Sequence, residues 1–337
     1  MPFLSSGARF VFALVLIGAF AALPARGQSS DKLAIGELLS GIVHVKTFIN
    51  PDARTRENLG REREGSGVVL DSDGLVLTIG YLMVEAHAAE IVTGDGKTVP
   101  ANIIGYDHES GFGLLKAIVP LKGVRPVPMG SAATLKERDA ALVAAYGGVQ
   151  RAAPVAVVSK RTFAGNWEYL LDGAIFTSPP HGAWSGAALL DREGKLVGIG
   201  SLIVGDATGR GDGVPGNMFV PIDKLAPILA DMITDGHPNS SPVPWLGINT
   251  DEVRGVLTIS RIVPGGPAEK SGLKRGDVVV GVDGVAARNL VDFYEQIRRV
   301  GQAGVDVPLD VEQGGEKKRI GIKSMNRLDH LKLNSTF

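Results

Sequence analysis

The chain has 337 residues, 44% of them hydrophobic, with 45 glycines, 19 prolines and no cysteine. That length suffices for two modest domains with cores of their own, and the missing cysteine excludes disulfides, thiolate nucleophiles and cysteine-ligated zinc. Thirty-five basic residues balance 36 acidic ones for a net charge of −1, and without a basic stripe nothing points to nucleic acid.

At the start, Arg9 precedes an apolar run over residues 10–23, followed by Pro24, Ala25, Arg26, Gly27 and Gln28. A charged start, a short apolar segment and small residues are the pattern of a secretory signal. Residues 1–27 are therefore expected to be a signal cleaved after Gly27, with an uncleaved anchor as the alternative. Both place the folded part outside the cytoplasm, in the periplasm or secreted. No later segment is long enough to cross a membrane, so no stable span is expected after cleavage.

From Ile35 onward the pattern is strands and turns. Residues 42–48 alternate apolar and polar like a half-buried strand. Residues 50–64 are charged without an apolar period and are expected to be an exposed loop. Residues 67–70 and 75–78 flank Asp71-Ser72-Asp73-Gly74, a glycine-turn hairpin. Residues 91–93 and 98–104 form another, and residues 112–119 a further strand. Regular short strands with glycine turns up to Ile203 suggest a barrel or sandwich. Apolar residues Leu225, Ile228, Leu229, Met232 and Ile233 repeat at helical spacing over residues 224–234, stopped by Gly236. The proline- and serine-rich residues 237–244 are read as a linker. Beyond it, strand-like runs at 255–259, 278–282, 305–311 and 318–322 alternate with helical segments around 268–271 and 290–300. The last residues read as a polar tail.

Several phrases stand in order: Gly65-Ser66-Gly67-Val68-Val69-Leu70, Gly74-Leu75-Val76-Leu77-Thr78, Asp107 to Lys116, Ala183-Trp184-Ser185-Gly186-Ala187, Leu196-Val197-Gly198-Ile199 and Phe219-Val220-Pro221. Together they resemble the HtrA (DegP-like) family, in which a trypsin-like peptidase domain precedes a PDZ domain. The resemblance implies a mostly β chain: a trypsin-like double β-barrel over residues 35–236, a linker at 237–244, an α+β PDZ domain at 245–324 and a tail at 325–337. It implies that Ser185 holds the nucleophile position. Tyr81 stands where the family carries its triad histidine, and Gly111 where it carries the aspartate. In the oxyanion turn, Ala183, Trp184 and Ala187 replace glycine, asparagine and glycine.

A serine hydroxyl needs a neighbour to take its proton, and a phenol with an ordinary pKa near ~10 is a poor base at neutral pH. His181, His108 and His87 are the remaining imidazoles considered as substitutes. His181 shares the loop of Ser185, and His87 falls in a segment expected to be helical. Asp71-Ser72-Asp73-Gly74 lacks the spaced ligands of a calcium loop, and no metal or cofactor is expected.

In the second unit, Trp245-Leu246-Gly247-Ile248 resembles the carboxylate-binding start of a PDZ groove. Pro264 to Ala268, Ser271 to Val279 and Val282-Asp283-Gly284 continue that pattern. Backbone N–H groups of Leu246, Gly247 and Ile248 would take a peptide's terminal carboxylate. The chain's own end, Ser335-Thr336-Phe337, is a candidate occupant. The expected function is that of an exported pseudoprotease binding unfolded or C-terminal peptide segments of client proteins as chaperone, adaptor or scaffold. The resemblance implies a homotrimer. The alternatives are a serine endopeptidase using Ser185 with an unconventional base, and a regulatory subunit joining active trimers.

Overall fold

The computed structural model describes residues 35–333. The expected signal segment and the terminal Ser335-Thr336-Phe337 lie outside them. The first barrel is built from β1 (Ile42–Ile49), β2 (Glu62–Val69), β3 (Leu75–Ile79), β4 (Ala86–Val92), β5 (Thr98–Tyr106) and β6 (Phe112–Ala117), closed in the order β1-β2-β3-β6-β5-β4. Its inward side chains alternate along β1, where Val43 and Val45 are fully enclosed, as a period of two requires. The second barrel comprises β7 (Ala140–Ala144), β8 (Ala152–Gly165), β9 (Tyr169–Ser178), β10 (Ala188–Leu190), β11 (Leu196–Val204) and β12 (Gly216–Pro221), closed in the order β10-β11-β12-β9-β8-β7. Closure leaves no unpaired sheet edge to cap. One apolar cluster runs across the seam, joining Leu77 and Phe112 of the first barrel to Phe176 and Val220 of the second.

The C-terminal unit is a sheet of β13 (Ile248–Val253), β14 (Val256–Ile262), β15 (Val278–Val282), β17 (Asp306–Gln313) and β18 (Glu316–Lys323), in the order β13-β14-β15-β17-β18, with β16 (Val285–Ala286) beside β15. The helix α2 (Leu290–Val300) follows α1 (Leu229–Asp235) in the chain. Asn289 caps α2 by accepting from the Asp292 N–H, which satisfies one of the orphan donors of the first turn. Phe293 and Ile297, four apart, go inward from α2, so the sheet and the helix share one core.

Three expectations shift. The segment holding His87 is strand β4, not helix. Pairing with β1 along Lys46↔Glu90 to Ile49↔Ala86 claims it for the sheet. Within the residues read as an exposed loop, Glu62 already begins β2, and Arg63 is buried. Beyond residue 324, Trp245 pairs with Met325, the single turn α3 (Arg327–His330) follows, and His330 is buried. Lys332 donates its N–H to the Glu85 carboxylate of the first barrel at 2.7 Å. Residues 325–332 thus strap the two units together.

Candidate active site and peptide groove

The three positions singled out in the sequence meet at the seam of the barrels. β3 ends in a tight turn, Gly80–Leu82, which presents Tyr81. Gly80 donates its N–H to the Gly111 carbonyl at 2.6 Å, so the turn carrying Tyr81 and the loop carrying Gly111 are joined by backbone. Arg63 reaches under the same turn and donates to the carbonyls of Tyr81 (2.7 Å) and Val84 (3.0 Å). Burial lowers its guanidinium pKa to about 10.

Ser185 sits in the turn before β10, and its carbonyl accepts from Ser66 N–H of β2 at 2.8 Å. The following glycine is obligatory. Gly186 has φ +70, and a Cβ there would lie 2.0 Å from the Ser66 carbonyl oxygen. The Ser-Gly pair therefore has a structural reason to exist whether or not the serine reacts.

The Tyr81 phenol oxygen lies 2.8 Å from Ser185 Oγ and 3.0 Å from the Ser201 carbonyl oxygen. A phenol has one proton and a carbonyl only accepts. The proton that serves Ser201 therefore leaves the phenol oxygen as acceptor for the Ser185 hydroxyl. Ser201 is available because β11 bulges there: the register to β12 jumps from Gly200↔Phe219 to Leu202↔Met218 and leaves Ser201 out of the ladder. Burial pushes the phenol up to about 12, against the opposing pull of Ser185 and Trp184. The group facing the serine is a neutral phenol at any physiological pH.

The aspartate position is filled differently. Gly111 is left-handed, φ +81, and an added Cβ would meet the Tyr169 hydroxyl at 3.3 Å and Ile79 Cδ1 at 3.5 Å. Tyr169, from the start of β9, donates to the Ser110 carbonyl at 2.8 Å and occupies the space beside Gly111.

The three candidate histidines are accounted for separately. His181 accepts the Ala183 N–H on Nδ1 at 3.2 Å, and burial lowers its pKa. In a trypsin-like site the oxyanion is held by N–H groups of the serine and of the residue two before it. Ala183 is that second residue, and its N–H is directed to His181 instead. His108 lies at the contact with the C-terminal unit, with Arg327 Nη1 at 2.9 Å from Nε2 and the Tyr106 hydroxyl at 3.0 Å from Nδ1. Burial, reinforced by Arg327, drives its pKa well below the ordinary value. His87 is exposed on β4. Among the described residues, no group of three or more His, Asp or Glu is arranged to hold a metal ion.

The amides of the expected carboxylate loop are brought together as a donor set. Leu246, Gly247 and Ile248 donate their N–H groups to one carboxylate, that of Glu168, at 2.7, 2.8 and 2.9 Å. Nothing in the sequence around Glu168 marks it: it is one acidic residue in a hairpin turn, and its partners lie some eighty residues away. Tyr169 and Arg63 were likewise unmarked.

Two closed six-stranded barrels with the serine at their seam, followed by a sheet with an amide-rich groove, define a trypsin-like peptidase domain carrying a PDZ domain. Residues 65–199 match the trypsin-like peptidase domain family and residues 244–323 the PDZ domain family. The chain is 26% identical over 290 residues to a putative serine protease HhoA of Synechocystis, spanning 77% of this chain and 70% of that one. It is 25% identical to a probable periplasmic serine endoprotease DegP-like of Ectopseudomonas mendocina, over 81% of this chain and 58% of the other. The solved structure of the HtrA-type protease AlgW with a decapeptide shares the fold at a TM-score of 0.51 and 20% identity, over 88% of this chain and 98% of that one. The chain carries a trypsin-like peptidase domain followed by a PDZ domain, and it resembles HtrA- and DegP-like proteases.

Proposed function

We propose that this HtrA-like chain is exported and has lost peptidase chemistry. It then acts through peptide binding, as a chaperone, adaptor or scaffold for unfolded or C-terminal segments of client proteins. The observation that carries this reading is the Tyr81 phenol lodged on Ser185 Oγ. Ionising a phenol of pKa about 12 at pH 7 takes about five pK units, or about 7 kcal/mol. On the order of 10⁻⁵ of the molecules would hold a competent base. Removing the base or the nucleophile of a serine protease costs on the order of 10⁶ in kcat. The diversion of the Ala183 N–H to His181 supports the same conclusion from the oxyanion side.

The amides of Leu246, Gly247 and Ile248 are the proposed carboxylate site for a client peptide, with the outer edge of β13 as the strand to which the peptide adds. Export to the periplasm agrees with a relative described as periplasmic. A homotrimer is proposed from the family alone. The test is incubation of the purified protein with unfolded casein and with a fluorophosphonate probe. The expected result is intact casein and an unlabelled Ser185. Labelling that Ser185→Ala abolishes would mean an endopeptidase with an unconventional base.

A further inference from the structure

The groove formed by β13 and α2 already holds an occupant from the same chain. The turn between β8 and β9 lies along β13 as an added strand would. Thr250 donates its N–H to the Asn166 carbonyl at 2.8 Å, and the Asn166 side-chain amide donates to Asp251 Oδ1 at 2.7 Å. Two residues on, the Glu168 carboxylate takes all three amides of the loop that starts β13. From the helix side, the Tyr294 hydroxyl donates to the Gly165 carbonyl at 2.9 Å, and Glu168 N–H approaches the same hydroxyl at 3.2 Å. Leu170 is buried in the core of the C-terminal unit with Leu246, Ile248, Phe293 and Ile297.

Carboxylate, pairing strand and apolar side chain are thus all supplied by residues 165–170. Glu168 adopts φ +57 to present its carboxylate, a left-handed conformation that is unfavourable for a side chain with a Cβ. The contact holds the residue in that conformation. Further along β13 the groove is vacant: a cleft of about 800 Å³ opens between Ala164, Asp251, Val253, Asn289 and Val291.

We propose that the β8–β9 turn is an internal pseudo-ligand that closes the peptide groove, with the Glu168 side-chain carboxylate standing in for a peptide's terminal carboxylate. The proposal rests on the peptide-binding reading above and adds a gate to it. A peptide with a free C-terminus binds by displacing Glu168 and enters by the vacant end of the groove. Its apparent affinity is the intrinsic one multiplied by the fraction of open molecules.

The experiment uses the full chain and a fluorescein-labelled decapeptide ending in a free-carboxylate phenylalanine, alongside its amidated twin. Wild type, Glu168→Ala and Glu168→Gln are compared by fluorescence anisotropy. Amide hydrogen exchange at Leu246, Gly247 and Ile248 is followed without peptide, and circular dichroism checks the fold. Glu168→Ala is expected to bind the free-carboxylate peptide at least ~10-fold more tightly than wild type, the open fraction in wild type being a tenth or less. It should leave the amidated twin unbound and expose the three amides to exchange, and Glu168→Gln should fall between. Equal binding by wild type and Glu168→Ala would overturn the gate while leaving the peptide-binding reading in place. Unchanged protection of the three amides in a folded Glu168→Ala would overturn it as well. Exposed amides with no binding by any variant would remove the peptide-binding reading and the gate with it.

Discussion

Replacing Tyr81 by phenylalanine separates a structural phenol from a catalytic one. The substitution keeps the ring and deletes one oxygen. That oxygen is the partner of the Ser201 carbonyl, which the β11 bulge has removed from its ladder and which lies in a residue only 6% exposed. A buried carbonyl left without a donor costs about 1–3 kcal/mol. For a unit of this size each kcal/mol moves Tm by about 2–4 °C, so Tyr81→Phe should melt roughly 2–12 °C below wild type. Scanning calorimetry gives the shift, and fluorophosphonate labelling is run on the same samples. Neither protein should be labelled at Ser185. An unchanged Tm would refute the role of the phenol as a strut between Ser185 and Ser201. Wild-type labelling that disappears in Tyr81→Phe would refute the inactive reading, because it would make the phenol the base.

Three further outcomes are expected. The double variant Tyr81→His with Gly111→Asp should not hydrolyse casein. The new carboxylate must adopt φ +81 beside the Tyr169 hydroxyl, and the Ala183 N–H remains directed to His181. Hydrolysis would show that the site needs only its side chains restored. Gly186→Ala should abolish soluble expression or lower Tm by roughly 6 °C or more (roughly 3 kcal/mol or more for a strained, clashing core position), since its Cβ would lie 2.0 Å from the Ser66 oxygen. A wild-type melting curve would contradict the clamp between the barrels.

The closed groove should also respond to pH. Withdrawal from water pushes the Glu168 carboxyl up to about 7, against the pull of the three amides and of Arg327. The other groups facing this turn are Asp251, Tyr294, Arg298 and His108, the last held neutral by burial. Once released, Glu168 returns to its ordinary pKa of 4.5. The closed form therefore keeps its full proton-linked advantage below pH 4.5 and loses it as pH rises through 7. Wild type should bind the free-carboxylate decapeptide several-fold more tightly at pH 8 than at pH 5.5, and Glu168→Gln should bind it equally at both. A pH-dependent Glu168→Gln would assign the titration to another group.

The sequence alone determined whatever depends on local pattern. Alternation along residues 42–48, the glycine turn at 71–74, helical spacing at 290–300 and the ordered phrases from Gly65 to Pro221 each report a nearby constraint. Pattern alone suggested a barrel or sandwich, and the resemblance carried by the ordered phrases implied two barrels, a PDZ unit and the positions of Tyr81, Gly111 and Ser185. Tertiary structure alone decided what those positions touch. The phenol meets Ser185 across 104 residues of chain, Ser201 is freed by a bulge that no turn residue announces, and Tyr169 fills the space beside Gly111 from the other barrel. Arg63 reads as one more charge in a charged loop until β2 carries it under Tyr81. Glu168 is the clearest case, because a carboxylate in a turn carries no local mark of the amides it will meet. Hydrogen-bond partners chosen by barrel closure and domain docking leave no periodicity in the chain, and only the folded backbone brings donor and acceptor within 3 Å.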